Sequence, residues 1–178
     1  MSRMIEYEWN LGTIVKLVLS AMRLYLGGWM IMSGTSYWLT QLGLPTIFPQ
    51  PVGNTPLSSQ MLVTMIEVGL FDVVKTCEIV GGLMLVFNRF VPLGLIICLP
   101  ISGVVWYNAI ILNHRFDRLF SPTYMGVMCF YMNILVMLAY VKYYAPLLVP
   151  KTSMGGLKDF GKLFDALRGK SPIVEKGE

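Results

Sequence analysis

The stretch from Val91 to Leu112 reads VPLGLIICLPISGVVWYNAIIL and contains no charged side chain. A helix that crosses a bilayer needs about 20 predominantly apolar residues, and this stretch meets that requirement. Three further apolar segments lie around it, at about residues 14–39, within residues 58–87, and at about residues 122–141 with apolar character continuing to residue 149. The sequence therefore predicts an all-α protein that folds as a four-helix transmembrane bundle.

The composition agrees with a membrane protein. Of the 178 residues, 55% are hydrophobic and only 13% are charged, whereas soluble domains carry about 25% charged residues. A disordered chain, a secreted disulfide scaffold and a soluble nucleic-acid-binding protein are thereby excluded. The expected partners are the lipid bilayer and either a larger membrane protein complex or further copies of the same chain.

The placement of basic residues predicts the topology. The loop at residues 41–57 has no charge and would translocate easily, whereas the tail after Tyr140 holds seven basic and four acidic residues. Basic segments stay in the cytoplasm. We therefore expect a cytoplasmic segment at residues 1–12, the four-helix domain at residues 13–149 and a basic cytoplasmic tail at residues 150–178. The expected location is a bacterial-type inner membrane, with both termini cytoplasmic.

The tail contains a candidate amphipathic helix. A stripe of apolar residues recurs at spacings of three and four, namely Met154, Leu157, Phe160, Phe164 and Leu167. Basic residues fall outside this stripe, which favours a helix lying in the lipid headgroup plane. The alternative is a solvated tail, because three glycines in this region weaken a helix.

Charged residues inside the apolar segments are the candidates for function. They are Arg23, Glu67, Asp72, Lys75 and Glu78. Buried charges in a membrane are costly, and they mark either a functional site or an internal ion pair. If Lys16 and Arg89 mark one interface, Arg23 and Glu78 lie roughly 10 and 16 Å deep at about 1.5 Å per residue. We therefore expect Arg23 to pair with Glu78.

Two interpretations of this polar centre remain open. It binds a quinone headgroup or relays protons, with Trp106 and Asn108 as further candidates beside Arg23, Lys75 and Glu78. Alternatively, and this is the interpretation we favour, it is a structural pair that holds two helices in register. Lys75 can also reach Asp72 or Glu78 on its own helix, because each lies three residues away.

The second apolar segment permits either one long tilted helix or two helices. The charges from Glu67 to Asp72 favour a break near Val68–Gly69, which would leave a short interfacial or re-entrant helix before the true span. The span would then begin near Phe71. We favour the broken form.

Small and polar residues predict how the helices pack. Ser20, Gly27 and Gly34 recur seven apart and would let a second helix approach closely, with Gly81 and Gly82 as the partner surface. Three further expectations concern a kink at Pro100, a helix start at Ser121–Pro122, and hydrogen bonds across helices from the two buried amides, Asn108 and Asn133.

The cysteine and histidine counts restrict the chemistry. Cys77, Cys98 and Cys129 form no C-x-x-C pair, and His114 is the only histidine. A bis-histidine haem or a multi-histidine metal site within this chain is therefore excluded. We expect no metal site, no catalytic residue and no covalently bound cofactor.

Two stretches resemble the DoxX-like membrane proteins. The first reads RLYLGGWMIMSG from Arg23, and the second reads FDVVKTCEIVGGLMLVFNRFVP from Phe71 and is followed by an internal proline, Pro100. The residues that carry the resemblance are Arg23, Lys75, Glu78, Gly81 and Gly82. The resemblance implies a four-helix membrane bundle associated with redox systems, and one branch resembles the membrane subunit of a thiosulfate:quinone oxidoreductase.

Three functions follow as hypotheses. The first is a non-catalytic accessory subunit of a membrane-bound redox complex, with a quinone as the one ligand suggested. The second is a quinone-reducing subunit that grips the headgroup with Arg23 and Glu78. The third is a small dimeric transporter in which Glu78 couples transport to protons.

Overall fold

The structure is a computed structural model, and it describes residues 11–48, 55–148 and 160–168. These residues form helices and no strands, so the predicted all-α class is confirmed. The α-helices are α1 (Leu11–Gln41), α2 (Pro56–Glu67), α3 (Leu70–Val86), α4 (Val91–Tyr107), α5 (Met125–Ala139), α6 (Val141–Tyr144) and α7 (Phe160–Leu167). A π-helical turn, Asn108–Leu112, follows α4 directly, and short 3-10 turns lie at Phe116–Arg118 and Ala145–Leu148.

The chain divides into two compact units, Met1–Tyr144 and Ala145–Glu178. In the first unit, α1 packs against α3 and α5, and α4 packs against the same two helices, so the four helices form a closed ring. The core inside this ring contains the fully buried residues Leu26, Leu85, Leu95, Cys98 and Val136.

Two helical stretches are long and apolar enough to cross a membrane. They are α1 and Val91–Leu112, and a third results if the bent pair that begins with Met125–Ala139 counts as one span. Helices α3 and α5 have 17 and 15 residues, which corresponds to only about 25 and 22 Å at 1.5 Å per residue. Large apolar side chains are nevertheless exposed on all four helices, for example Val18, Val80, Ile96 and Leu135. Such a surface fits a membrane protein.

Glycines allow α1 and α3 to touch along their backbones. A Cβ atom on Gly34 would lie 2.6 Å from the carbonyl oxygen of Lys75, and one on Gly82 would lie 2.7 Å from that of Gly27. Gly81 faces α4 instead, where a Cβ atom would lie 2.5 Å from the Cys98 Sγ. Ser20 is exposed. The contact stops before it because Gly27 already lies opposite Leu85 and Val86, at the end of α3.

The expected break in the second apolar segment is confirmed. Helix α2 ends at Glu67, α3 begins at Leu70, and Gly69 between them has a φ of +71°, a left-handed conformation that glycine adopts at little cost. Helix α2 begins with Thr55 as N-cap, whose side chain accepts from the Ser58 backbone N–H. The α2 helix is therefore a separate element.

The predicted helix start at Ser121–Pro122 is wrong. The backbone N–H of Tyr124 donates to the Ser121 carbonyl at 3.3 Å, so these residues form a turn and α5 begins at Met125. Helix α4 continues through Pro100 to Tyr107, and the hydroxyl of Ser102 donates to the Leu99 carbonyl at 3.0 Å.

The predicted tail helix falls only partly on described residues. Helix α7 covers Phe160–Leu167, and Phe164 and Leu167 on it are exposed. Met154 and Leu157 of the predicted stripe lie outside the described residues.

Candidate functional site

A cavity of about 490 Å³ opens among helices α1 to α4 and the beginning of α5. Its wall is mostly apolar, and α2 contributes Met61 and Met65 to it. Val104 and Val105 also line it while remaining exposed to the surroundings, so the cavity is not sealed. Apolar cavities of this size with a few polar groups are typical small-molecule sites.

A buried ion pair lies on the cavity wall. Lys75 Nζ is 2.9 and 3.1 Å from the two carboxylate oxygens of Glu78, and the two residues are only 6% and 3% exposed. Lys75 Nζ also donates to the Ser33 hydroxyl at 2.8 Å and lies 5.1 Å from the centre of the Phe71 ring. The i,i+3 spacing on α3 brings the two charges together, as the sequence suggested for Lys75.

A second polar cluster joins α2 to the end of α4. The Ser58 hydroxyl donates to Asn108 Oδ1, and Asn113 Nδ2 donates to the same oxygen at 2.9 Å and to the Ser58 hydroxyl at 3.0 Å. The Thr55 hydroxyl donates to the Leu112 carbonyl at 2.7 Å. The expected hydrogen bonding of Asn108 across helices is therefore confirmed. These bonds hold α2 over the cavity.

The predicted pair between Arg23 and Glu78 is wrong. Arg23 Nη1 donates to Asn88 Oδ1 and to the Tyr140 hydroxyl, the latter at 3.2 Å. Lys75 lies one turn from Glu78 on the same helix and already binds both of its carboxylate oxygens. The long Arg23 side chain reaches the α3–α4 turn instead, and it does not line the cavity.

Trp106 also lies away from the cavity wall. Its indole N–H donates to the Tyr131 hydroxyl at 3.4 Å, and its ring lies 5.8 Å from that of Phe130, between α4 and α5. The tryptophan on the cavity wall is Trp29, which stacks on Phe48 with ring centres 5.4 Å apart and planes at 11°. An aromatic residue in an apolar segment does not indicate by itself which helix face is enclosed.

The five charged residues of the apolar segments do not form one network. The Tyr37 hydroxyl donates to Asp72, near the end of α1, and Glu67 is exposed at the last position of α2. Lys75 and Glu78 pair with each other, and Arg23 lies at the opposite end of α3. Of the candidates for a polar centre, the cavity brings together Lys75, Glu78 and Asn108.

Several polar residues at the cavity were not predicted. Ser33, Ser58, Ser102 and Asn113 all line it. The available signal was weak, because each is a single small polar residue in or beside an apolar helix. Contacts between separate elements bring them to the cavity: α1 against α3 places Ser33 beside Lys75, and α2 against the π-helical turn places Ser58 beside Asn113.

No protein-family model, curated protein or solved structure matches this chain. The resemblance to the DoxX-like proteins therefore stays a prediction.

Proposed function

We propose that this chain is a multi-pass inner-membrane protein that binds a quinone-type ligand as a non-catalytic subunit of a membrane redox complex. The observation that carries this proposal is the Lys75–Glu78 ion pair, buried at the wall of a 490 Å³ cavity that is otherwise mostly apolar. Burying charges costs free energy, so buried charges beside a cavity are unusual. They indicate that the charged groups bind or position a ligand.

We propose that α1, α3, α4 and α5 each cross the bilayer. All four expose large apolar side chains, and they form a closed ring. Short spans are accommodated by local thinning of the bilayer, which allows for the length of α3 and α5. In this arrangement α2 is re-entrant or interfacial, both termini are cytoplasmic, and α7 belongs to a tail helix at the headgroup plane.

A quinone matches the chemistry of the cavity. Its ring carries two carbonyl acceptors. The Asn108 amide N–H group is one potential donor, and the Lys75 ammonium, which the ligand would share with Glu78 and Ser33, is a second. The stacked Trp29 and Phe48 rings offer a flat aromatic surface. The apolar wall suits an isoprenoid chain, and Met61 and Met65 can adapt to its shape.

We infer a non-catalytic role from the groups that line the cavity. The polar ones are amine, carboxylate, hydroxyl and amide groups, which bind and orient a ligand but do not change oxidation state, and the Cys129 thiol, which has no second cysteine beside it on the described wall. Electrons would therefore come from a partner protein of the same complex. Purification in mild detergent should recover this chain with larger membrane proteins at fixed stoichiometry, whereas recovery as a homodimer alone would contradict the subunit role.

The test of ligand binding uses Glu78→Gln, which keeps the shape of the side chain and removes its charge. Quenching of tryptophan fluorescence by a short-chain quinone measures affinity in detergent. We expect the Kd to rise about tenfold, because the glutamine of this variant would hold the Lys75 ammonium less firmly, and weakening the charge-assisted contact of Lys75 with the ligand costs about 1.4 kcal/mol. Asp117→Asn makes the same chemical change at an exposed residue outside the cavity and should leave the Kd unchanged.

Equal affinity in the wild type and Glu78→Gln would overturn the proposal. If Glu78→Gln does not fold, Ser33→Ala removes the hydroxyl that Lys75 contacts and tests the same site. A Glu78→Gln variant that assembles normally and loses quinone reduction would instead show that the chain is the reducing subunit. Loss of proton-gradient-dependent efflux in that variant would show a transporter.

A further inference from the structure

The two ends of the four-helix unit carry different charges. Helix α1 runs antiparallel to α3, since Tyr37 contacts Asp72 at one end and Arg23 contacts Asn88 at the other. The end that contains Arg23 also contains three more basic residues of the described chain, namely Lys16, Arg89 and Lys142. The described carboxylates of this unit lie elsewhere, at Glu67, Asp72, Glu78 and Asp117.

The charge of Arg23 has no carboxylate partner among the described residues. Its hydrogen-bond partners, Asn88 and the Tyr140 hydroxyl, are neutral, and its Nε is buried without a partner in that part of the chain. The nearest described acid along α3 is Glu78, which is 11 residues from Arg89, or about 16 Å along a helix. No described carboxylate therefore neutralises the positive charge of this end, and an anion from outside the described chain would be attracted to it.

An apolar groove lies directly beside Arg89. It has a volume of about 420 Å³ and is lined by Leu83, Met84, Phe87, Arg89 and Phe90. Phe87 and Phe90 are 69% and 46% exposed, on either side of Arg89 in sequence. Exposed aromatic rings next to a cation are typical of the level at which lipid headgroups meet acyl chains.

We infer that the α3–α4 turn binds an anionic phospholipid. The phosphate contacts the Arg89 guanidinium, the positive charge of Arg23 behind Asn88 adds attraction, and one acyl chain lies along Leu83 and Phe87. A phospholipid is the occupant because the surface combines a cation with an apolar groove. A free phosphate would use the cation alone and would leave the groove empty.

Native mass spectrometry of the full chain tests this inference. The protein is released from vesicles of equal phosphatidylglycerol and phosphatidylcholine content, and the retained lipids are counted. We expect the wild type to retain phosphatidylglycerol preferentially. Arg89→Gln should lower that preference about fivefold, since one basic residue near the surface contributes about 1 kcal/mol.

The matched control is Arg118→Gln, which removes an exposed arginine from the opposite end of the unit and should leave the preference unchanged. Leu83→Asn should also lower phosphatidylglycerol retention, because it makes the groove polar. Equal retention of the two lipids by the wild type would overturn the inference, and so would an equal effect of Arg118→Gln. Complete displacement of the lipid by inorganic phosphate would overturn the role of the groove.

Discussion

The two halves of the four-helix unit differ in the size of their internal cavity and in the hydrogen bonding of their buried polar groups. At the α2 end, about 490 Å³ is left open, and the ion pair and the cluster around Asn108 have hydrogen-bond partners. In the other half, the backbones of Gly27 and Gly82 meet. Asn133, near the middle of α5, is fully buried, and both polar atoms of its side-chain amide lack a partner among the described residues.

This difference shows that polar groups, rather than packing alone, stabilise the open half. Residues that line a cavity pack against fewer protein atoms, so they depend more on other interactions to hold their positions. Hydrogen bonds between α2 and the π-helical turn supply them. Close backbone approach between α1 and α3, the usual source of helix association in membranes, occurs in both halves. It occurs at Gly34 and Lys75 beside the cavity. In the closed half it occurs at Gly27 and Gly82, where it has no such hydrogen-bond cluster beside it among the described residues.

The largest expected effect concerns the ion pair of the open half. Glu78→Ala alone would leave the buried Lys75 ammonium without its carboxylate, and we expect a loss of about 3–5 kcal/mol in the free energy of unfolding. The double change of Lys75 and Glu78 to methionine should restore most of that loss, because no unpaired charge remains. Equilibrium unfolding in detergent measures both.

If the double variant is as unstable as Glu78→Ala, the Lys75–Glu78 pair stabilises the fold through more than the neutralisation of each charge by the other. Asp117→Ala is the control, because its carboxylate is exposed and pairs with an exposed arginine. It should change stability far less.

In the closed half, we expect an added side-chain atom to lower the stability of the protein by overpacking the contact between α1 and α3. Gly82→Ala places a methyl group against the Gly27 carbonyl and should lower stability by about 1–3 kcal/mol. Gly28→Ala adds the same methyl group on α1 where nothing lies within 4 Å, and it should raise stability because alanine favours helix. Thermal unfolding in one detergent compares the two variants, and equal shifts would contradict the close approach of α1 and α3.

The smallest effect concerns Asn133, whose expected hydrogen bonds across helices are absent among the described residues. Asn133→Leu keeps the approximate volume and removes a buried amide without partners, so stability should rise by about 1 kcal/mol. Asn108→Leu, by contrast, should lower stability because Ser58 and Asn113 would lose their acceptor. Destabilisation by Asn133→Leu, measured by the same unfolding assay, would show that this amide has a partner.

The sequence predicted the helical class and the break at Gly69 correctly because both depend on local chemistry. An uncharged apolar run of about 20 residues is typical of a helix, and glycine allows the left-handed conformation between two helices. The start of α5 was predicted wrongly because Ser121–Pro122 suits both a helix N-terminus and a turn, and only the tertiary context distinguishes them.

The candidate site could be predicted only in part. Lys75 and Glu78 were recognisable because charges in an apolar segment stand out, and their pairing follows from their spacing on one helix. Depth along the helix axis suggested a match between Arg23 and Glu78, but depth does not say which way a side chain points. Ser33, Ser58 and Asn113 carry no such signal in the sequence.

The sequence by itself therefore determined that the protein is helical, that it has apolar membrane-length stretches, and that its unusual charges are Arg23 in the first apolar segment and four more in the segment at residues 58–87. These properties follow from local composition and periodicity. Only the tertiary structure decided that Lys75 takes the carboxylate of Glu78, that Arg23 turns to Asn88, and that α2 covers a cavity. The reason is geometric, since side-chain direction and the rotation of each helix depend on contacts between segments far apart in the chain.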